Sequence, residues 1–181
     1  MKLFIFGTLA LLLPLAFLKL CYALGTVLVL RRTGGALFVS TSRAKIRAML
    51  EALGPLSPET SFVDLGCGDG RLLRAMYRRF GILGVGYEIN PWAYVLARLK
   101  NFLAGVPAEI RREDFFAANL KDYDLIFCYL FPDVLKDLAP KLRKEAKEGA
   151  VIVSANFPLP GWKPYLVLKE EDPIYFYRKG T

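Results

Sequence analysis

The chain contains no histidine and only three cysteines in 181 residues. Without histidine, no side chain has an ordinary pKa near neutrality, so a proton-transfer reaction has no ready-made general base here. Cys21, Cys67 and Cys128 show no paired spacing. That excludes a disulfide framework, argues against a bound metal and fits reduced thiols. Cys128 falls in an apolar run and reads as core rather than as a nucleophile. No internal repeat or low-complexity tract occurs. Acids are scarce at one end: the first 56 residues hold seven Lys or Arg and one Glu, against 18 basic and 16 acidic side chains in 57–181. The net charge of +8 is therefore concentrated at the N-terminus. An enzyme of nucleic acids is expected to carry its basic patch on the catalytic domain, so this distribution points to a membrane surface and away from nucleic acid.

Residues 3–30 supply a membrane segment. They carry one charge, Lys19, and as a helix would extend ~42 Å, more than the ~30 Å of bilayer hydrocarbon. One uncleaved, tilted span is the simplest reading. A cleaved signal peptide competes, but the leading charge is Lys2 alone and no small-x-small cleavage site follows. Arg31, Arg32, Arg43, Lys45 and Arg47 come next without an intervening acid, so the positive-inside rule places the rest of the chain in the cytoplasm, at the plasma membrane if the cell is prokaryotic. Lys19 is either a functional intramembrane charge or one that snorkels to the interface. Residues 42–53 read as an amphipathic helix capped by Thr41 or Ser42, with Ile46, Met49, Leu50 and Leu53 on one face. Its basic residues face either anionic headgroups or solvent.

The most informative stretch is Phe62-Val-Asp-Leu-Gly-Cys-Gly-Asp-Gly70, an apolar strand running into a glycine-rich turn and then an amphipathic helix. A second strand ends in Gly86-Tyr-Glu-Ile-Asn-Pro91, which puts Glu88 22 residues beyond Gly66. That is close to the ~20 residues expected of a carboxylate gripping ribose hydroxyls. The loop is acidic, however, and Asp64 and Asp69 would repel the pyrophosphate that a dinucleotide brings to a helix N-terminus. S-adenosylmethionine has no phosphate and carries a sulfonium and an ammonium, which suit the loop better. Strands are expected over 61–65, 83–88, 109–112, 124–129 and 150–154, with helices starting near Arg71, Pro91 and Val134. The alternation implies a parallel sheet covered on both faces. Residues 165–169 and 174–178 are then expected to form an antiparallel pair at the edge.

With motif, spacing and order in agreement, the chain resembles the class I S-adenosylmethionine-dependent methyltransferases, which are Rossmann-like α/β domains. Tyr129-Leu-Phe-Pro132, Leu138-Ala-Pro-Lys-Leu-Arg-Lys-Glu145 and Asn156-Phe-Pro-Leu-Pro-Gly-Trp162, together with the apolar N-terminus, narrow the likeness. They resemble the membrane-anchored protein lysine methyltransferases, whose mitochondrial members modify the ATP synthase c-subunit and the adenine nucleotide translocase and whose archaeal relatives methylate many proteins. The expected organisation is an anchor over 1–32, a basic segment and helix over 33–56, and a methyltransferase domain over 57–181.

The resemblance implies that Asp64, Gly66, Cys67, Gly68 and Gly70 line the methionine end of S-adenosylmethionine and that Glu88 accepts from the ribose hydroxyls. It also implies that the segment over 37–53 packs over the cofactor and that Asp114 faces the adenine amino group with Phe115 beside it. Asp114 otherwise reads as a turn or cap residue. Asn90 either caps a helix or touches the ribose. Thr41 is a cofactor contact by the same likeness, although this chain has Phe38-Val-Ser-Thr41 where relatives commonly carry a proline. The expected product is S-adenosylhomocysteine and the expected partner is a protein with an accessible lysine. Tyr129 and Phe131 are the candidates for an aromatic channel around that lysine. Asp133 either orients the amine or opens a helix as an N-terminal acid. The Asn-Pro-Pro-Tyr pattern of methyltransferases for planar nitrogens would stand at Tyr129-Leu-Phe-Pro132 and is absent. Competing functions are methylation of a lipid or quinone, binding of the cofactor without catalysis, and methylation of RNA.

Overall fold

A computed structural model describes residues 41–169 and 172–180, together with Leu13, Ala16, Phe17, Lys19 and Leu20, which are helical. The chain divides into two compact units, Met1–Leu37 and Phe38–Thr181. The expected span over 3–30, apart from those five positions, and the basic pair Arg31 and Arg32 lie outside the described residues. Among the described residues no helix is long and apolar enough to cross a membrane.

The second unit opens with helix α1 (Arg43–Leu53), which Ser42 begins by accepting the Lys45 backbone N–H on its hydroxyl. Ile46, Met49 and Leu50 turn inward as the period predicts. Strand β1 (Phe62–Leu65) follows, buried at every position. It leads through the glycine turn into α2 (Arg71–Phe80), which buries Leu72, Leu73 and Met76 and exposes Arg78 and Arg79. Gly81 stops α2 in the left-handed conformation, where a β-carbon is disfavoured. Strand β2 (Gly84–Tyr87) precedes α3 (Pro91–Leu103), with Pro91 in the first turn where its missing N–H costs nothing. Strand β3 (Glu109–Arg111), a short 3₁₀ turn (Phe115–Ala117), β4 (Leu125–Cys128) and α4 (Pro132–Glu145) come next. The chain closes with β5 (Val151–Ala155), β6 (Leu166–Leu168) and β7 (Ile174–Arg178).

The seven strands form one sheet in the order β3-β2-β1-β4-β5-β7-β6. The first five strands of that order are parallel, and β7 pairs antiparallel with both β5 and β6. This is the mostly parallel Rossmann-like sheet with an antiparallel edge that the sequence pattern predicts. One core layer packs α1 and α2 on one face and the other packs α4 on the opposite face. The chain leaves β1 in one direction to build β2 and β3 and returns to the other side for β4, so the strand order reverses between β1 and β4. Ligands of open α/β sheets bind at the C-terminal ends of the strands at such a reversal. Register places Leu65 beside Tyr87 on one side and beside Cys128 on the other. The residues that follow all three strands therefore gather at one edge.

Candidate active site

The turn after β1 is folded on itself. Gly66 and Cys67 both donate their backbone N–H to the Tyr87 carbonyl at 2.9 Å, and Gly70 donates to the Cys67 carbonyl. Gly68 donates to Glu88 Oε2 at 2.9 Å. Gly70 sits at φ +74°, and a β-carbon there would lie 3.1 Å from Asn101 Oδ1 and 3.4 Å from Ala97 Cβ. Only glycine lets α3 pack this closely on the start of α2. Cys67 turns its side chain into the core, where a β-carbon on Gly86 would meet its Sγ at 2.6 Å. Any contact from Cys67 to a ligand is therefore made by its backbone, and burial pushes its thiol far above the usual range.

The two acids of the loop differ in kind, and Asp69 departs from the sequence expectation. Asp69 is neutralised: Arg71 Nε lies 3.0 Å and Lys100 Nζ 2.8 Å from its carboxylate, with Arg74 at 4.0 Å. Burial alone would raise its pKa, but the hydrogen bonds from Arg71 and Lys100 outweigh it and hold the carboxyl below the usual range. Asp69 does not repel an anion. What disfavours a pyrophosphate is that the N–H groups of Gly66, Cys67, Gly68 and Gly70 are already spent on Tyr87, Glu88 and Cys67. The uncompensated charge is Asp64. It is buried, no donor among the described residues bonds its carboxylate, and burial first, then Glu88 and Asp69, push its pKa well up. A buried carboxylate without a donor is an unmet demand for a cation. The ammonium of S-adenosylmethionine would answer it, and the residues present fit that cofactor.

Glu88 is fastened at both oxygens, with Oε2 receiving Gly68 and Oε1 receiving the Asn90 backbone N–H at 2.8 Å. Each oxygen keeps a lone pair for a hydroxyl. Burial raises its pKa, opposed by those backbone donors. Asn90 caps α3, accepting from Trp92 and Ala93 on Oδ1. That oxygen is occupied, which leaves only the Asn90 amide nitrogen for a ribose. Asp114 caps the 3₁₀ turn through the Phe116 N–H at 2.9 Å and is exposed. It lies three residues past Arg111, whose carbonyl accepts the Glu88 N–H. Phe115 beside it pairs with Phe116, ring centroids 4.8 Å apart. Thr41 reaches the site by its backbone: its carbonyl accepts Arg71 Nη1 at 2.7 Å, tying the segment before α1 to the Asp69 loop.

Tyr129 follows β4 next to the glycine turn, where a β-carbon on Gly66 would lie 3.3 Å from Leu130 Cδ2. Phe131 stands half-exposed at the start of α4, 6.2 Å from the Phe157 ring. Asp133 pairs with Lys136 in the first turn of α4, as an N-terminal acid. Three polar residues near Tyr129 were missed at the sequence level. Lys45 is buried, and its ammonium donates to Asn156 Oδ1 and to Asp172 Oδ2, the latter at 2.8 Å. The sequence did carry a signal, since Lys45 lies one helical turn before Met49 and thus on the inward face rather than on a basic outer one.

Residues 64–166 match the family model of the ANTKMT methyltransferase domain. The chain is 41% identical over 118 residues to an adenine nucleotide translocase lysine N-methyltransferase of Mus musculus, an alignment covering 64% of this chain and 52% of that protein. It is 34% identical over 156 residues to a protein-lysine N-methyltransferase of Saccharolobus islandicus, covering 79% and 93%. Among solved structures, an RNA methyltransferase from Salinibacter ruber in complex with S-adenosyl-L-homocysteine superposes with a TM-score of 0.74 at 32% identity, over 79% of this chain and 95% of that one. The chain thus spans about half the length of the mouse relative and nearly all of the archaeal one.

Proposed function

The chain belongs to the ANTKMT methyltransferase-domain family, and we propose that it transfers a methyl group from S-adenosylmethionine to lysine side chains of a protein substrate. The observation that carries this reading is the donor-free buried carboxylate of Asp64 beside the doubly fastened Glu88, a site shaped for a cationic, phosphate-free nucleoside. Bound there, the cofactor supplies an electrophilic methyl group. The chain's residues must then bring a neutral amine into line with it. Holding a lysine deprotonated at pH 7 costs about 4–5 kcal/mol from its reference pKa. With no histidine as base, desolvation and positioning carry the work, and water takes the proton.

Tyr129 and Phe131 line the approach to the methyl. Tyr129 Oη accepts Asn156 Nδ2 at 2.8 Å, so its hydroxyl hydrogen is free to turn toward a substrate. Tyr129→Phe is expected to lower kcat/KM for a lysine substrate by roughly ten-fold, the worth of one hydrogen bond, with cofactor affinity unchanged. Full turnover in that variant removes Tyr129 from the mechanism.

The apolar run over 3–30 and the basic residues after it support a single-pass protein with its catalytic unit facing the cytoplasm, acting on membrane proteins. The described unit adds support, because the outer face of α3 leaves Val95, Leu99, Phe102 and Leu103 exposed, Phe102 by 83%. An apolar outer face of this kind suits a lipid boundary. The likeness to the Salinibacter ruber protein favours RNA as a second reading. The near balance of charge over 57–181 opposes it, since RNA affinity rests on neutralised phosphates.

The deciding experiment incubates the purified chain with tritiated S-adenosylmethionine and host membranes, separates protein, lipid and RNA, and hydrolyses each labelled fraction. Methyl-lysine from a membrane polypeptide is the expected result. Label confined to lipid, quinone or RNA overturns the substrate while leaving the cofactor site intact.

A further inference from the structure

One buried charge lies outside the cofactor loop and still points to the same edge of the sheet. Lys45 is 8% exposed. Its ammonium is held by Asp172 Oδ2 at 2.8 Å and by Asn156 Oδ1, and it stands 5.3 Å from the centroid of the Tyr129 ring. A carboxylate, an amide oxygen and an aromatic face are what an alkylammonium seeks.

The cage is built deliberately. Asn156 follows β5 at φ +68°, the one non-glycine residue with positive φ among the described residues. Asparagine tolerates that conformation better than most residues, though it still carries strain. The backbone is pinned there by the Asn156 N–H donating to the Pro173 carbonyl at 2.8 Å. In this pose both ends of the side-chain amide are used, Oδ1 on Lys45 and Nδ2 on the Tyr129 hydroxyl. Register sets Cys128 opposite Ser154 and Leu65 opposite Cys128, so Tyr129 and Asn156 follow the ends of adjacent strands, one and two places along the sheet from the strand that carries the glycine turn.

Two features fit poorly with a permanent structural ion pair. Lys45 lies in the first turn of α1, where the helix dipole disfavours a cation and where no acid offsets it. Asp172 is 54% exposed, so the pair is dry on one side only and Asp172 stays hydrated when Lys45 leaves.

We infer that Tyr129, Asn156 and Asp172 form the subsite for the ammonium end of the acceptor, and that Lys45 holds it from within until an incoming lysine displaces it. The inference rests on the lysine reading above for the identity of the acceptor, but the cage is testable without it. Exchange is one alkylammonium for another, with no bond made or broken. An internal occupant lowers apparent affinity by the fraction of time it fills the site.

The test titrates n-butylammonium into the full chain loaded with S-adenosylhomocysteine, and measures KM and kcat for a lysine peptide alongside. Lys45→Met removes the occupant and keeps the apolar stem. Lys45→Gln keeps a neutral partner for Asn156 and carries the same expectation should the methionine variant fold poorly. Either is expected to bind butylammonium roughly ten-fold tighter than the parent and to lower KM by a similar factor with kcat retained. Asp172→Asn is expected to shift both the opposite way. Shifts of the same sign in the Lys45 and Asp172 variants, or no shift in butylammonium affinity, overturn the subsite and leave an ion pair that fastens α1 to the sheet edge. Opposite shifts in butylammonium binding from a chain that methylates no lysine uphold the cage and sink the lysine reading. Lysine methylation with butylammonium binding indifferent to both substitutions does the reverse.

Discussion

Asp64→Asn should make the cofactor-free protein more stable and the enzyme a weaker binder of S-adenosylmethionine. The Asp64 carboxyl is buried beside Glu88 with no donor, and its pKa in the fold is raised. The folded chain therefore binds that proton more tightly than the unfolded chain does, so protonation favours folding and ionisation at neutral pH costs stability. Asparagine has nearly the same shape and no charge. A gain of roughly 1–2 kcal/mol is expected, read as a rise in Tm of about 2–8 °C for a domain of this size. The stability of the parent should itself rise as pH falls through the raised pKa of Asp64, a gain that Asp64→Asn flattens. Cofactor affinity should move the other way, tightening as pH rises and Asp64 ionises. A charge-assisted hydrogen bond contributes about 1.5–3 kcal/mol, so the variant is expected to lose roughly 10- to 100-fold in affinity. Thermal unfolding with and without cofactor measures both. A lower Tm in the apo variant, or unchanged affinity, would show that Asp64 is a structural acid and not the ammonium's partner.

That trade between stability and binding was only half legible in the sequence. The strand and helix periods, Gly81, Asn90 with Pro91, and the glycine turn are local signals, and the fold follows them: β1, β2, β4 and β5 fall inside or within a residue of their expected spans, and α2 and α3 begin where expected. Helix α4 starts at Pro132, ahead of the expected Val134, because proline is tolerated in a first turn. Spacing alone paired Glu88 with the glycine turn as a site carboxylate, and its Oε2 accepts the Gly68 N–H there. What the sequence could not show is which charges cancel. Asp64 and Asp69 look alike five residues apart, yet Lys100, 31 residues downstream, neutralises only Asp69. Lys45, Asn156 and Asp172 are likewise brought together across more than a hundred residues, by β5 pairing with β7 and by α1 packing against the sheet. No local pattern encodes such a meeting.

Glu88→Gln, by contrast, should damage both fold and function, although it changes one atom. The two carboxylate oxygens of Glu88 each accept a buried backbone N–H, Oε2 from Gly68 and Oε1 from Asn90. A glutamine amide offers one oxygen, so whichever way it lies, its NH₂ faces one of those donors and leaves it unpaired. An unsatisfied buried donor costs about 1–3 kcal/mol, and the NH₂ also displaces an acceptor meant for a ribose hydroxyl. Burial raises the Glu88 pKa, and removing the charge recovers part of that cost. The lost acceptor weighs more, because both N–H groups fix backbone that the site depends on: the top of the glycine turn and the residue that caps α3. The expected result is a Tm lowered by a few degrees, opposite in sign to Asp64→Asn on the neighbouring strand. Cofactor affinity should fall at least about 100-fold, since a site built to hydrogen-bond a hydroxyl rejects a mismatch by several kcal/mol. Glu88→Ala should lose at least as much in binding, because it removes both carboxylate oxygens where Glu88→Gln removes one. If Glu88→Gln kept its affinity while Glu88→Ala lost it, one oxygen would suffice, and Glu88 would serve chiefly to pin the turn.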